Sequence, residues 1–319
     1  MKKVIVILFL MLVIPACNPE RTNPLDVHNS ASSKVLVQGI IRTERIPRVP
    51  IGGVKIYYDG GRVSTVSDST GFYLIEFLSS VSSWLVFESD SYRKDSVFID
   101  LKLAKIRNID LFLNANPVLE SEIVSSLVEN RYPNEKVFSL KIALKVNDVD
   151  NDIDSVMVKS PVNGNFLNLD YNPVSKLYEN TFNLQQLGVV SLEGIVGKLF
   201  EFFVKDNEGF LIKTGEKGVV RIINEEPSFI SPSDNELIDF PVNIKWLRFN
   251  AGYSLTYKLQ VFSNNEFPQL VIEIPNIQSN TTEIEIIQGL QQGPYYWVFW
   301  CVDEYGNSAR SKPASFRIR

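Results

Sequence analysis

Histidine and cysteine are nearly missing from this chain of 319 residues, which holds one His and two Cys. That scarcity excludes His-based catalytic triads, zinc cages of Cys and His, and a disulfide framework. Basic residues do not dominate either. Against 32 Lys and Arg stand 37 Asp and Glu, a net charge of −5. Nucleic acid is therefore not expected as a partner, because phosphate binding needs clustered cations. No P-loop, no Rossmann glycine fingerprint and no G-x-S-x-G elbow occurs, so nothing marks the chain as an enzyme. No apolar run reaches the ~20 residues that a membrane-spanning helix needs. What is present is an ordinary globular balance, 45% apolar and 22% charged, and enough length for two or three domains at roughly 100–200 residues each.

The N-terminus reads as an address. Lys2 and Lys3 precede an uncharged apolar run from Val4 to Ile14, which suits a signal-peptide core. The run ends in Ile14-Pro15-Ala16-Cys17. This phrase resembles the lipobox of bacterial lipoproteins. The resemblance implies cleavage before Cys17, acylation of that residue, and a stable anchor from several acyl chains. A plain secretory signal cut after Ala16 and a short N-terminal anchor helix are the other readings. Asn18, where an Asp would signal inner-membrane retention in enterobacterial lipoproteins, points to the outer membrane of a Gram-negative bacterium. Residues 17–33 have linker composition and hold His28, a solvated side chain with no partner ligand nearby in sequence.

From residue 34 the pattern changes to short alternating runs rich in β-branched and aromatic residues, with Gly, Pro and Asp between them. That predicts antiparallel strands. About seven are expected over 34–116. Val37-x-Gly39, Pro50-Ile51-x-Gly53-Val54-x-Ile56 and Ser67-Asp68-x-x-Gly71-x-Tyr73-x-Ile75 together resemble the carboxypeptidase regulatory-like domain. The resemblance implies a transthyretin-like β-sandwich without peptidase chemistry. Gly39 suits a strand bend, and Gly71 suits an Asp-led turn with positive φ.

Pro117 marks the next boundary. Over 117–224, strands of 5–9 residues are expected, and Ser121 to Glu129 reads equally as a short helix or an irregular strand. The run Phe200-Glu201-Phe202-Phe203-Val204 leading into Lys205-Asp206-Asn207-Glu208-Gly209 resembles a late strand and hairpin of bacterial Ig-like domains. Over 225–319, Trp246 in an early strand and Tyr295-Tyr296-Trp297 with Cys301-Val302-Asp303-x-x-Gly306-Asn307 resemble a fibronectin type III domain, with a final strand from Ala314 to Ile318. With the chain ending there, lipid is the expected retention device. The expected fold is thus all-β, three tandem antiparallel sandwiches at 34–116, 117–224 and 225–319, after a signal peptide (1–16) and a lipid-anchored tether (17–33). Residues 34–116 hold 11 basic and 9 acidic residues, whereas each later segment holds four more acidic than basic.

Three features are candidate sites. Asp148, Asp150, Asp152 and Asp154 alternate around Asn151, as hard oxygen ligands for Ca²⁺ could. Ile153 and Lys159 occupy the positions where an EF-hand needs Gly and Glu, so that motif fails, and a solvated acidic turn is the competing reading. Cys301 lies in an alternating strand with no base nearby, which makes it a buried small hydrophobe. On the opposite face of that strand, Tyr296 and Trp300 form a candidate platform for stacking sugar or peptide; packing under a loop or neighbouring domain is the alternative. The expected function is non-enzymatic binding or scaffolding at the cell envelope, held to membrane by lipid, with an envelope protein or polysaccharide as partner. The alternative is an accessory carbohydrate-binding surface lipoprotein of a glycan-uptake system.

Overall fold

The computed structural model describes residues 34–59, 62–78, 82–100 and 106–319. The expected signal peptide and tether, with Cys17 and His28, lie outside the described residues. The chain divides into two compact units, residues 1–116 and 117–319.

The first unit contains eight strands among its described residues: β1 (Lys34–Thr43), β2 (Lys55–Tyr58), β3 (Val63–Val66), β4 (Phe72–Leu78), β5 (Ser83–Ser89), β6 (Tyr92–Ile99), β7 (Ile106–Asn108) and β8 (Leu111–Leu113). One sheet runs β4-β1-β7, with β8 also on β1, and the other runs β3-β2-β5-β6. The count is one above expectation because the chain near β1 forms two short strands, both parallel to it. Alternation does what the sequence predicts: along β1 every second residue is buried. Val35, Val37, Ile41, Ile56, Tyr73, Ile75, Leu85 and Phe87 fill the space between the sheets. Gly39 has a tighter purpose than a bend. A Cβ there would overlap the Ile109 carbonyl, which also accepts a hydrogen bond from the Tyr73 hydroxyl at 2.8 Å.

The second unit begins with β9 (Val118–Arg131), β10 (Glu135–Asn147), β11 (Ile153–Lys159), β12 (Phe166–Asn172) and β13 (Leu177–Asn183). A single helical turn α1 (Leu184–Leu187) follows, then β14 (Leu199–Asp206) and β15 (Leu211–Gly218). Strands β9 and β10, of 14 and 13 residues, exceed the expected length. Ser121 to Glu129 is strand throughout, paired antiparallel with β10. Next come β16 (Phe229–Ser231), β17 (Glu236–Ile238), β18 (Val242–Trp246), β19 (Leu255–Ser263), β20 (Leu270–Gln278), β21 (Glu283–Ile286), β22 (Gly293–Asp303), β23 (Ser308–Arg310) and β24 (Ala314–Ile318). The last begins and ends where the sequence places it. The protein is all-β, built of sandwich sheets.

Two cores form in this unit. Leu140, Ile142, Leu144, Val156, Val158, Phe200, Phe202 and Val204 fill the first. Trp246, Tyr257, Trp297, Phe299, Cys301 and Phe316 anchor the second. There Trp246 lies 5.8 Å from Tyr257 and 5.7 Å from Phe299, ring centre to ring centre, inside the 4.5–7 Å range of favourable aromatic pairs.

The two cores share a backbone. A continuous path runs β15-β14-β11-β12-β13-β10-β9-β23-β22-β19-β20. Its link between the cores is a parallel ladder in which Ser308, Ala309 and Arg310 face Leu127, Val128 and Glu129.

One local device recurs in both units. Asp68, Asp206 and Asp303 each open a D-x-x-G hairpin turn. Each Oδ1 accepts the N–H groups two and four residues on: Thr70 and Phe72, Glu208 and Phe210, Tyr305 and Asn307. The glycines sit at φ of 74°, 91° and 82°, a left-handed conformation that only glycine adopts freely. An Asp carboxylate that satisfies two turn N–H groups locks the hairpin.

Candidate functional site

The seam between the two cores is built from polar side chains held in register by the β9–β23 ladder. Asn307 is fully buried. Its Oδ1 accepts from the Ser126 N–H at 2.9 Å and from the Ser126 hydroxyl at 3.0 Å. Its Nδ2 donates to Asp303 Oδ2 at 3.0 Å. Asp303 is buried too, and Arg221 Nε stands 3.5 Å from its Oδ2. The same guanidinium bonds Glu304 at 3.0 Å and lies over the rings of Tyr253 and Tyr305. A buried carboxylate persists only when its oxygens are met, and here two backbone N–H groups, an amide and a guanidinium meet them. Asn130 Nδ2 donates to the Arg310 carbonyl at 2.7 Å. Val128, Ile223 and Ala309 close an apolar patch beside this network.

Strand β22 carries the candidate aromatic pair to this seam, and the structure gives its members different surroundings. Tyr296 faces Phe262 of β19 on one flank and Ser315 of β24 on the other. Its ring stacks on Phe262 at 5.0 Å. Trp300 is 9% exposed, so it presents no open stacking face. Its Nε1 donates to Gln260 Oε1 at 2.8 Å, and Lys258 and Arg310 lie over its ring. The pair is not one platform: Tyr296 borders a cavity, and Trp300 is sealed under cations.

That cavity is a groove of about 440 Å³ lined by Arg131, Tyr132, Asn264, Tyr296, Val298, Arg310, Pro313 and Ser315. Arg131 and Tyr132 come from the β9–β10 hairpin, and the others from the second core's strands and loops. The groove therefore exists only because the seam holds the hairpin there. Glu129 Oε2 serves both guanidiniums, at 2.8 Å from Arg131 and 3.4 Å from Arg310.

The acidic stretch 148–154 borders a second cavity of about 460 Å³ with Glu120, Lys145, Tyr171, Lys176 and Tyr178. Asp148 accepts from the N–H groups of Asp150 and Asp152 at 3.3 and 3.0 Å. Burial pushes its carboxyl up to about 6, and a hydrogen bond with the Asp152 side chain adds to the rise. Asp154 turns away to pair with Lys205 at 3.2 Å. Among the described residues, no three His, Cys, Asp or Glu side chains form a group that could hold a metal. Cys301 is fully buried, and burial pushes its thiol far up. Among the described residues no helix is long and apolar enough to cross a membrane.

Sequence reasoning did not single out Ser126, Asn130, Arg131, Tyr132, Arg221 or Arg310. Asn307 closes the Cys301-Val302-Asp303-x-x-Gly306-Asn307 motif, which by itself gives it no role. Ser126 and Asn307 are 181 positions apart, and no local pattern links them. On the first unit, Trp84 and Phe98 form an exposed cross-strand pair, 54% and 50% accessible with ring centres 5.4 Å apart.

No family model matches the chain, and no curated protein matches it. Several solved structures are similar to it. The chicken CNTN1 FN1-FN3 domains share 8% identity, with 83% of this chain and 90% of that chain covered, at a TM-score of 0.32. The fibronectin(III)-like modules of Clostridium thermocellum CbhA share 10%, with 64% of this chain and 93% of that chain covered, at 0.29. BcpA, the major pilin subunit of Bacillus cereus, shares 9%, with 90% and 98% covered, at 0.26.

Proposed function

We propose that this chain is a lipid-anchored, non-enzymatic scaffolding or binding protein of the cell envelope, in the outer membrane of a Gram-negative bacterium. The observation that carries the reading is the welded seam. A parallel ladder and a buried polar network join two sandwiches into one body, which is what a scaffold needs in order to hold a surface in fixed orientation. The Ile14-Pro15-Ala16-Cys17 phrase supports the anchor. The mechanism is positioning: lipid fixes one end, and the sandwiches present binding surfaces.

Cell fractionation tests the anchor. Wild-type protein is expected in the membrane fraction and Cys17→Ser in the soluble fraction. A serine variant that stays with membranes contradicts lipid attachment. Crosslinking in whole cells then identifies what the anchored protein touches. The second reading, an accessory carbohydrate-binding surface lipoprotein of a glycan-uptake system, is favoured by Tyr296 at the seam groove and by the exposed Trp84–Phe98 pair.

A further inference from the structure

We propose that the seam groove binds an acidic saccharide, a pyranose carrying a carboxylate, with Tyr296 as the stacking face and Arg131 and Arg310 as the carboxylate-binding pair. The inference rests on reading the chain as a non-enzymatic binding module and names the ligand class of one site.

The ring comes first. Phe262 covers one flank of Tyr296, while the residue on the other flank is Ser315, whose side chain is too small to cover a ring. The tyrosine is thereby braced from behind and open towards the groove. A braced, partly exposed aromatic with a polar rim is suited to the apolar face of a sugar ring.

Charge narrows the class. Two charged residues line the groove, and both are arginines. The carboxylate that serves them, Glu129, gives the pair one shared oxygen. Among the described residues, the buried Nε of Arg310 has no acceptor. Each guanidinium carries five donors in a planar fork that matches a carboxylate, so much of the pair's donor capacity is unspent. A neutral sugar would leave it so; an acidic one would engage it. The volume, about 440 Å³, falls within the roughly 300–1,000 Å³ typical of small-ligand sites. Arg131 arrives from one sandwich while Tyr296 and Arg310 belong to the other, so the seam assembles the site.

Isothermal titration of the purified full chain tests this with four probes: oligogalacturonate, a glucuronate oligosaccharide, the methyl ester of oligogalacturonate, and poly-glutamate. At least one uronate is expected to bind, with the ester and poly-glutamate at least tenfold weaker. Arg131→Gln is expected to weaken uronate binding about tenfold, equivalent to ~1.4 kcal/mol, and Tyr296→Ala to abolish it. Arg131 is half exposed, so its variant is expected to keep the wild-type melting temperature and remains informative if Tyr296→Ala fails to fold. Equal binding of the ester overturns the role of the arginines. Equal binding of poly-glutamate overturns the saccharide in favour of a peptide. Binding by neither uronate overturns the site itself, and the fractionation of Cys17→Ser continues to test the envelope reading separately.

Discussion

Replacing Asn307 by alanine probes the seam at its most connected side chain. The change removes three buried hydrogen bonds: two accepted from Ser126 and one donated to Asp303. The Ser126 hydroxyl retains the Arg221 carbonyl as an acceptor at 3.2 Å, and Asp303 retains Arg221 and two backbone donors. The Ser126 N–H loses its acceptor in a site with no solvent exposure. A net buried hydrogen bond is worth about 0.5–1.5 kcal/mol, and a stranded buried donor costs about 1–3 kcal/mol. The expected loss is therefore about 3–5 kcal/mol, large for a single substitution. Its location matters as much as its size. In wild-type protein the two cores of residues 117–319 are expected to unfold together. Hydrogen exchange on β10 and β14 reports one core, and the fluorescence of Trp246 and Trp297 reports the other. In Asn307→Ala, the two midpoints in urea are expected to separate. A loss below 1 kcal/mol with coincident midpoints would refute the reasoning.

Further outcomes follow from other contacts. Gly39→Ala drives a methyl into the Ile109 carbonyl, and overpacking costs roughly 1–3 kcal/mol; the melting temperature of the first unit is expected to fall by roughly 4 °C or more, and an unchanged value contradicts the close approach. Asp148 titrates near 6 in the fold, above the ~3.9 of an unfolded aspartate. The folded state thus favours the protonated form, and the stabilisation is present below about pH 4 and lost as pH rises through 6. Asp148→Asn cannot titrate, so its stability relative to wild type is expected to increase from pH 4 to pH 7 in thermal melts; parallel curves contradict the assignment. On the turn reading of residues 148–154, millimolar calcium leaves the wild-type melting temperature unchanged, and a rise of several degrees would favour the calcium reading.

How far the sequence discloses the molecule depends on the range of the interaction. Strands with one wet face, such as β1, are legible because alternate residues are buried. The D-x-x-G turns are legible because Asp, Gly and the bonded N–H groups lie within five residues. Strand β24 is found to the residue. Ser121 to Glu129 is ambiguous for a physical reason: Val124, Ser125 and Ser126 are buried in succession, since the strand is covered on both faces at the seam, and alternation disappears there. The same covering buries Val298 and Trp300 on the outer face of β22, which in sequence resembles an open aromatic platform. Of the two aromatics, Tyr296, at the margin of the contact, borders the groove. The weld itself depends on Ser126, Asn130, Arg221 and Asn307, ordinary polar residues whose partners lie about 80 to 180 positions away, so no local pattern could announce it.

The most direct test of the welded body is its alignment in solution. Residual dipolar couplings from the backbone N–H groups of β10, β11 and β14 define one alignment tensor, and those of β18, β19 and β24 define another. If residues 117–319 move as a single body, the two tensors coincide in magnitude and orientation. Tensors of different magnitude would show two sandwiches swinging on a hinge, and would contradict the continuous sheet as a rigid joint.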